Sequence, residues 1–362
     1  MSDSRLPDDR PRFRHQDLLQ FTTAVFERLG MPAPDAAEGA EVLLDADLAG
    51  VESHGIAHLP WHPGYAPGFK RGVINPNPVV KVLRESPVTA TWDADAGLGV
   101  LIAKRAMQSA IEKAETTGIG TVAVKNGRHF GAAGYYACMA AHHDMIGMAM
   151  CNVPPIAVAS GSLDRAYGTN PIAMAAPVEG SHPYMIDAAT TAVAGGKLEI
   201  AIRQGKRIPP GWAVDTDGTD TDDPEILRKG GALLPLGSHV ATSNHKGYGL
   251  GLMVDILTGV LPGMGSALFA DRIEQGWWFA AWRIDAFRDV AEFKADMKRM
   301  TDHLRTLRPI NGVDRVQVPG DPEARHREER LRLGIPLDEE TITQLRELGD
   351  ELGVALPSVT SG

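Results

Sequence analysis

The chain has 362 residues and is 43% apolar, enough to bury a substantial core, and its length fits two domains or one large domain with an appendage. A formal charge of −10 at pH 7 argues against a nucleic-acid backbone or an anionic membrane surface as the main partner. Cys138 and Cys151 lie in apolar, small-residue surroundings, and the polar Met1–Arg14 stretch lacks the apolar run of a secretory signal, so a reduced, cytoplasmic protein is expected.

Leu18, Phe21, Val25 and Leu29 recur at helical spacing and stop at Gly30, and a second helix is expected from Asp35 to about Ala49. Pro60, Pro63, Pro67, Pro76 and Pro78 then interrupt any long helix and mark an irregular connection. Alternation of strand and helix follows: a strand near Thr89–Trp92, a helix over Leu101–Thr117, a strand over Ile119–Val124, a helix over Ala132–His143 and a strand over Ile146–Cys151. Further strands are expected at Ile172–Ala176 and around Tyr184–Ile186, a helix at Lys197–Gln204, and a glycine-rich helix from Lys246. The apolar stretch from Tyr248 to Ala270 holds Asp255, Pro262 and several glycines, which suits a buried helix and turn better than a membrane span. Phe287, Val290, Phe293, Met297, Met300, Leu304 and Leu307 predict one long amphipathic helix, and Ile342, Leu345, Leu348 and Leu352 a last one. Between them Arg325, His326, Arg327, Arg330 and Arg332 are interleaved with Glu323, Glu328 and Glu329 and read as a solvated helix face. The pattern predicts an α/β domain over 81–286, flanked by helical segments at 1–80 and 287–362 that close into one helical domain.

Several local features carry chemistry. Ser53-His54-Gly55 places a hydroxyl beside an imidazole just past a helix end, a group able to exchange a proton, although Ser53 as a helix cap beside a structural His54 is the plainer reading. His54, His58 and His62 fall four apart, as in a zinc site on one helix face, but Pro60 and Pro63 disrupt the helix that this needs. Gly127-Arg128-His129-Phe130-Gly131-Ala132-Ala133-Gly134 lies between a strand and a helix, where backbone amides and Arg128 could hold a phosphate. It is not the dinucleotide fingerprint of a Rossmann fold, and no acidic residue follows at the usual distance. Gly168-Thr169-Asn170-Pro171 and Asn244-His245-Lys246-Gly247-Tyr248-Gly249 permit close backbone approach, with Lys246 as a point charge for phosphate. The Asp215–Asp223 run lacks the glycine position and terminal Glu of a calcium loop and reads as a solvated turn.

Taken in order, these segments resemble the type-2 malate/L-lactate dehydrogenase family, whose members also include ureidoglycolate, sulfolactate, diketogulonate and cyclic-imine-acid oxidoreductases. The resemblance rests on Ser53-His54-Gly55, His129 through Ala133, Gly168 through Pro171, Asp187-Ala188-Ala189-Thr190, Gly196-Lys197, Gly211 through Asp215, Lys246 through Leu250, and Pro319-Gly320-Asp321. It implies an α/β, non-Rossmann fold with a mixed, largely antiparallel central sheet, a homodimer, and NAD or NADP exchanging hydride with a small 2-hydroxy or 2-oxo acid. It further implies His54 as proton donor or acceptor assisted by Ser53, with His129 as its rival. By the same carry-over His129, Phe130, Gly131, Ala132, Ala133, Asp187, Ala188, Ala189 and Lys246 line the cofactor, and Thr169 touches the substrate. One departure stands out: many relatives have an arginine four residues after the histidine, and this chain has His58 at that substrate-binding position, where imidazolium cannot form the bidentate fork. Arg128 or Arg165 could supply the clamp instead. The rival readings are a metal-dependent hydrolase or lyase using His54, His58 and His62, and a non-catalytic relative.

Overall fold

The computed structural model describes residues 9–61, 64–269 and 274–360. The chain divides into two compact units, Met1–Asn77 with Pro322–Gly362, and Pro78–Asp321. The first unit opens with strand β1 (Arg12–Phe13), then helix α1 (His15–Arg28) and helix α2 (Ala33–Leu48). Leu18, Phe21, Val25 and Phe26 form the buried stripe of α1, and Ala36, Ala40, Leu43 and Leu44 that of α2. Each large apolar side chain so buried contributes about 1.5–3 kcal/mol. After α2 the chain makes two single 3-10 turns, Glu52–His54 and Ile56–His58, before the short helix α3 (Tyr65–Lys70).

The second unit carries strands β2 (Lys81–Glu85) and β3 (Thr89–Asp93), helix α4 (Gly99–Thr117), strand β4 (Ile119–Gly127), helix α5 (Ala133–His142) and strand β5 (Met145–Cys151). Short strands β6 (Ala157–Val158) and β7 (Arg165–Tyr167) precede β8 (Ile172–Ala176), β9 (Tyr184–Ala188) and helix α6 (Gly195–Arg203). Strands β10 (Ala213–Val214) and β11 (Ala232–Leu233) lead to helix α7 (His245–Asp255), which continues as a π-helical turn over Ile256–Val260, and then to β12 (Gln275–Arg283) and helix α8 (Val290–Arg305).

Seven strands form the main sheet in the order β2-β3-β4-β12-β5-β8-β9. Only β3 and β4 run parallel, joined through α4, and every other neighbouring pair is antiparallel, so the sheet is mixed and largely antiparallel, as the resemblance implies. A single parallel pair is incompatible with a doubly wound Rossmann sheet. The central strand β12 is absent from the sequence reading, because its buried run of Gly276 to Ala281 has no alternation to reveal it. A second sheet, β10-β11-β6-β7, packs Tyr167, Leu233 and Ala157 against Leu198 of α6.

Helix α8 groups with this unit rather than with the helical segments, unlike the 287–362 boundary drawn from sequence. Its contacts account for this: Lys294 bonds the Asp144 carboxylate, and the Lys294 carbonyl accepts from the Glu179 amide. Beyond it, helix α9 (Asp321–Leu333), strand β13 (Ile335–Pro336) and helix α10 (Glu339–Leu352) return the chain to the helical unit, where β13 pairs antiparallel with β1. Helix α9 corrects one expectation. Arg330 is not on a solvated face but is 5% exposed, its guanidinium donating to the Asp47 carbonyl and to Glu52.

Candidate active site

In the helical unit, the site is the pair of 3-10 turns after α2. Gly55 joins them in an extended conformation, φ −94° and ψ −151°, so His54 and His58 stand on separate turns and not on one helix face. Gly55 is required by close approach: an added Cβ would lie 2.1 Å from Asp47 Oδ1. The Asp47 carboxyl, 1% exposed at the end of α2, accepts a 2.6 Å hydrogen bond from the Ile56 amide. Burial, with Glu52 adding to it, pushes the Asp47 carboxyl up to about 8, against the bond from Ile56 and the charge of Arg330. Asp47 is thus mostly a neutral acid at pH 7, holding the backbone of the turn.

Ser53 Oγ lies 2.8 Å from His54 Nδ1, so Ser53 orients the imidazole and is not a helix cap. Burial lowers His54 to about 4, so the ring is neutral at physiological pH. Beside it Glu52 takes both Nη atoms of Arg10, at 2.8 and 2.9 Å, and one of Arg330. Burial alone would raise Glu52, but the two guanidiniums outweigh it and hold the carboxylate below its ordinary value.

His58 is 9% exposed, with its ring centroid 5.0 Å from that of Trp61 and 5.1 Å from that of Tyr65. Burial first, and His54 second, lower it to about 3. The charged form that would attract a substrate carboxylate is therefore absent from His58. His62 lies outside the described residues, and among those described no group of three His, Cys, Asp or Glu is placed to hold a metal.

In the α/β unit, the loop between β4 and α5 carries His129, half-buried, and Phe130, whose ring is core: it stacks on Tyr136 at 5.2 Å and on Trp277 at 5.9 Å. Phe130 therefore offers only its backbone to a cofactor, and its carbonyl accepts from Tyr136 Oη. The first residue of helix α4, Gly99, has to be glycine, because a Cβ there would lie 2.0 Å from the His129 carbonyl oxygen. The anticipated phosphate site at the start of α5 is altered in two ways. The Gly134 amide donates to Asp187 Oδ2 at 2.7 Å, so an anion already stands at that helix end. Arg128 turns inward, 8% exposed, with Nη1 on the Gly127 carbonyl. Asp187 and Ala188 are exposed beside Gly131–Ala133, and the Asp187 carboxylate would repel a phosphate there. Elsewhere in the unit, at the first turn of α7, His245 and Lys246 are exposed.

Arg165 is not a clamp: its Nε and Nη2 both donate to the Gly231 carbonyl, and Nη2 to that of Leu227 as well. Thr169 presents its carbonyl to the amide and hydroxyl of Thr190, and buried Asn170 bridges the Val153 amide and the Gly251 carbonyl, so Gly168–Pro171 is a structural knot beneath α7. Asp215 Oδ1 accepts from the Asp217 and Thr219 amides, closing the acidic run into a turn. Asp47, Trp61, Tyr65 and Arg10 were missed from sequence. Asp47 had a signal, since it falls on the apolar stripe of Ala36, Ala40 and Leu43, where a carboxylate has to be explained.

Comparison with known proteins places these features among dehydrogenases. A family model described as malate/L-lactate dehydrogenase matches residues 13–346. The chain is 41% identical over 349 residues to a malate dehydrogenase of Pyrococcus abyssi, covering 95% of each protein, and 37% identical over 337 residues to an L-sulfolactate dehydrogenase of Methanocaldococcus jannaschii, covering 91% of this chain and 94% of that protein. The crystal structure of malate dehydrogenase from Entamoeba histolytica superposes with a TM-score of 0.92 at 31% identity, over 96% of this chain and 100% of that one.

Proposed function

The chain belongs to the malate/L-lactate dehydrogenase family, and from that premise we propose that it exchanges hydride between NAD(H) or NADP(H) and a small 2-hydroxy or 2-oxo acid, with His54 as the acid/base. The observation that carries this reading is the 2.8 Å pairing of Ser53 Oγ with Nδ1 of a buried, neutral imidazole. Hydride exchange at the substrate's C2 is the chemistry that a bound nicotinamide supplies. The rest falls to the chain. In the oxidative direction His54 takes the hydroxyl proton at Nε2; the tautomer that leaves Nε2 as acceptor carries its own proton on Nδ1, which donates to Ser53 Oγ. Ser53 then supports the imidazolium as it forms. In the reductive direction the same imidazolium is a strong donor, because burial lowers its affinity for the proton.

Cofactor contacts are assigned to His129, Gly131, Ala132, Ala133, the Phe130 backbone, Asp187, Ala188, Ala189 and Lys246, with Lys246 as a point charge for phosphate. Thr169 is assigned to the substrate. Two further assignments complete the reading. Cys138 and Cys151 are unbridged, which suits the reducing cytoplasm, and no described helix is long and apolar enough to cross a membrane. A homodimer has a candidate face in the exposed Leu250, Met253, Ile256 and Val260, which recur at three- and four-residue steps along α7 and its π-helical turn.

The test is an absorbance assay of NADH and NADPH oxidation against 2-oxo acids of differing arms, pyruvate and oxaloacetate among them. Turnover with at least one is expected; a purified, folded protein that binds the reduced cofactor and oxidises it with none would overturn the reading.

A further inference from the structure

The turn that carries Ser53 and His54 does not hold itself. It is a single 3-10 turn, Glu52–His54, whose closing bond from the Gly55 amide to the Glu52 carbonyl is 3.5 Å long, and such turns bond less well than an α-helix. Its position is set from outside, at both ends. Asp47 fixes the far end through the Ile56 amide. The near end is fixed by the Glu52 side chain, which takes guanidiniums from two segments, 42 and 278 residues away along the chain.

The two guanidiniums are not equivalent. Buried Arg330 donates to Glu52 Oε1 and gives its other Nη to the Asp47 carbonyl. Arg10 grips both carboxylate oxygens, with Nη1 on Oε2 at 2.8 Å and Nη2 on Oε1 at 2.9 Å. A single bond lets a carboxylate rotate about it, whereas a two-pronged fork fixes its plane. Burial raises the Glu52 carboxyl, and Arg10 does more than Arg330 to bring it down. Arg10 is itself held in place. Two residues on, the Arg12 guanidinium bonds the Gly334 carbonyl at 3.0 Å and Glu329 at 2.9 Å. The Arg12 carbonyl accepts from the amide and the hydroxyl of Thr360, at 2.7 and 3.0 Å. Strand β1 is thereby stapled to β13 and to Thr360, and the residues just ahead of it deliver Arg10 to one place.

We propose that Arg10 is a positioning residue for the reaction: by locking the plane of the Glu52 carboxylate it sets the tilt of the Glu52–His54 turn, and so the reach of the His54 ring toward the substrate proton. The proposal rests on the reading of His54 as the acid/base. Misplacing a reacting group by about 1 Å costs up to about a hundredfold in rate. Arg330 still holds Glu52 when Arg10 is removed, so the expected loss is smaller.

The experiment measures single-turnover oxidation of reduced cofactor by the full-length enzyme, with whichever of pyruvate and oxaloacetate it reduces faster. It compares wild type, Arg10→Ala, Arg10→Lys, His54→Ala and the double variant Arg10→Ala with His54→Ala. Arg10→Ala should transfer hydride about tenfold more slowly, while the Kd for reduced cofactor stays within about twofold of wild type. Arg10→Lys keeps the charge without the fork and should stay well below wild type. In the His54→Ala background, removing Arg10 should change the rate by less than about twofold, because a residue acting through the imidazole then has nothing to position. A merely structural role would lower the rate in both backgrounds alike. A wild-type rate in Arg10→Ala or in Arg10→Lys contradicts this proposal alone, and so does a fall of about tenfold that persists when His54 is absent. Hydride transfer at the wild-type rate in His54→Ala contradicts the acid/base reading and this proposal together.

Discussion

The carboxyl of Asp47 closes on the amide of Ile56 at 2.6 Å, passing directly beneath Gly55 and so fixing the turn that carries Ser53 and His54. Removing the acceptor leaves a buried amide unsatisfied. Asp47→Ala should therefore cost about 1–3 kcal/mol in chemical denaturation, and Gly55→Ala a similar amount by overpacking. In both variants kcat should fall while the Kd for reduced cofactor, measured by fluorescence, stays within twofold of wild type. Unaltered kcat in Gly55→Ala would show that the turn's position is unimportant.

Asp47 also sets a pH dependence of stability. Its folded value, about 8, lies above the ordinary carboxyl value of 3.8, so the unfolded chain releases this proton first. Stability from this group is fully present below about pH 4 and is lost as pH rises from there to about 8. Asp47→Asn keeps an acceptor for the Ile56 amide and has no proton to lose. Its Tm relative to wild type should therefore climb between pH 5 and pH 9. A difference that stays flat over that range would show that Asp47 is ionised in the folded protein.

The burial of His54 moves the acid limb of the oxidative reaction. An ordinary imidazole base would lose activity below pH 6.5, whereas His54 keeps its free-base form down to about pH 4. In the oxidative direction kcat/KM, which reports the free enzyme, should stay level between pH 7 and pH 5.5. A limb with its midpoint near 6.5 would point to a less buried base, with His129 the first to replace by Ala.

Asp187 tests the cofactor cradle. Asp187→Ala removes the acceptor of the Gly134 amide at the start of α5, a bond of the helix-capping kind worth about 1 kcal/mol. The KM for reduced cofactor should rise about fivefold, the equivalent of that loss, with little change in the KM for the 2-oxo acid. An unchanged cofactor KM would remove Asp187 from the cradle.

Much of this architecture was legible in the sequence where local pattern and tertiary role agree. α4, α5, β5 and β8 lie within two residues of their expected bounds because Gly118, Asp144 and the prolines around them punctuate periodic segments. Strand β12 was not legible, since burial on both faces removes the alternation that marks a strand. The same holds at the site. Ser53-His54-Gly55 was recognised as a motif, but the reason for its glycine is Asp47, a partner held in place only by the packing of α2. Likewise the interleaved charges of α9 gave no hint that Arg330 reaches inward to Glu52, because periodicity cannot show which side chains the α2 turn covers.

The central claim is that His54 moves the substrate proton. The most direct measurement is single-turnover oxidation of reduced cofactor by enzyme in excess over the 2-oxo acid, comparing wild type with His54→Ala. A fall in the transfer rate of about a hundredfold or more, the usual scale for a lost acid/base group, with cofactor Kd unchanged, is the predicted result. A variant that transfers hydride at the wild-type rate would contradict it.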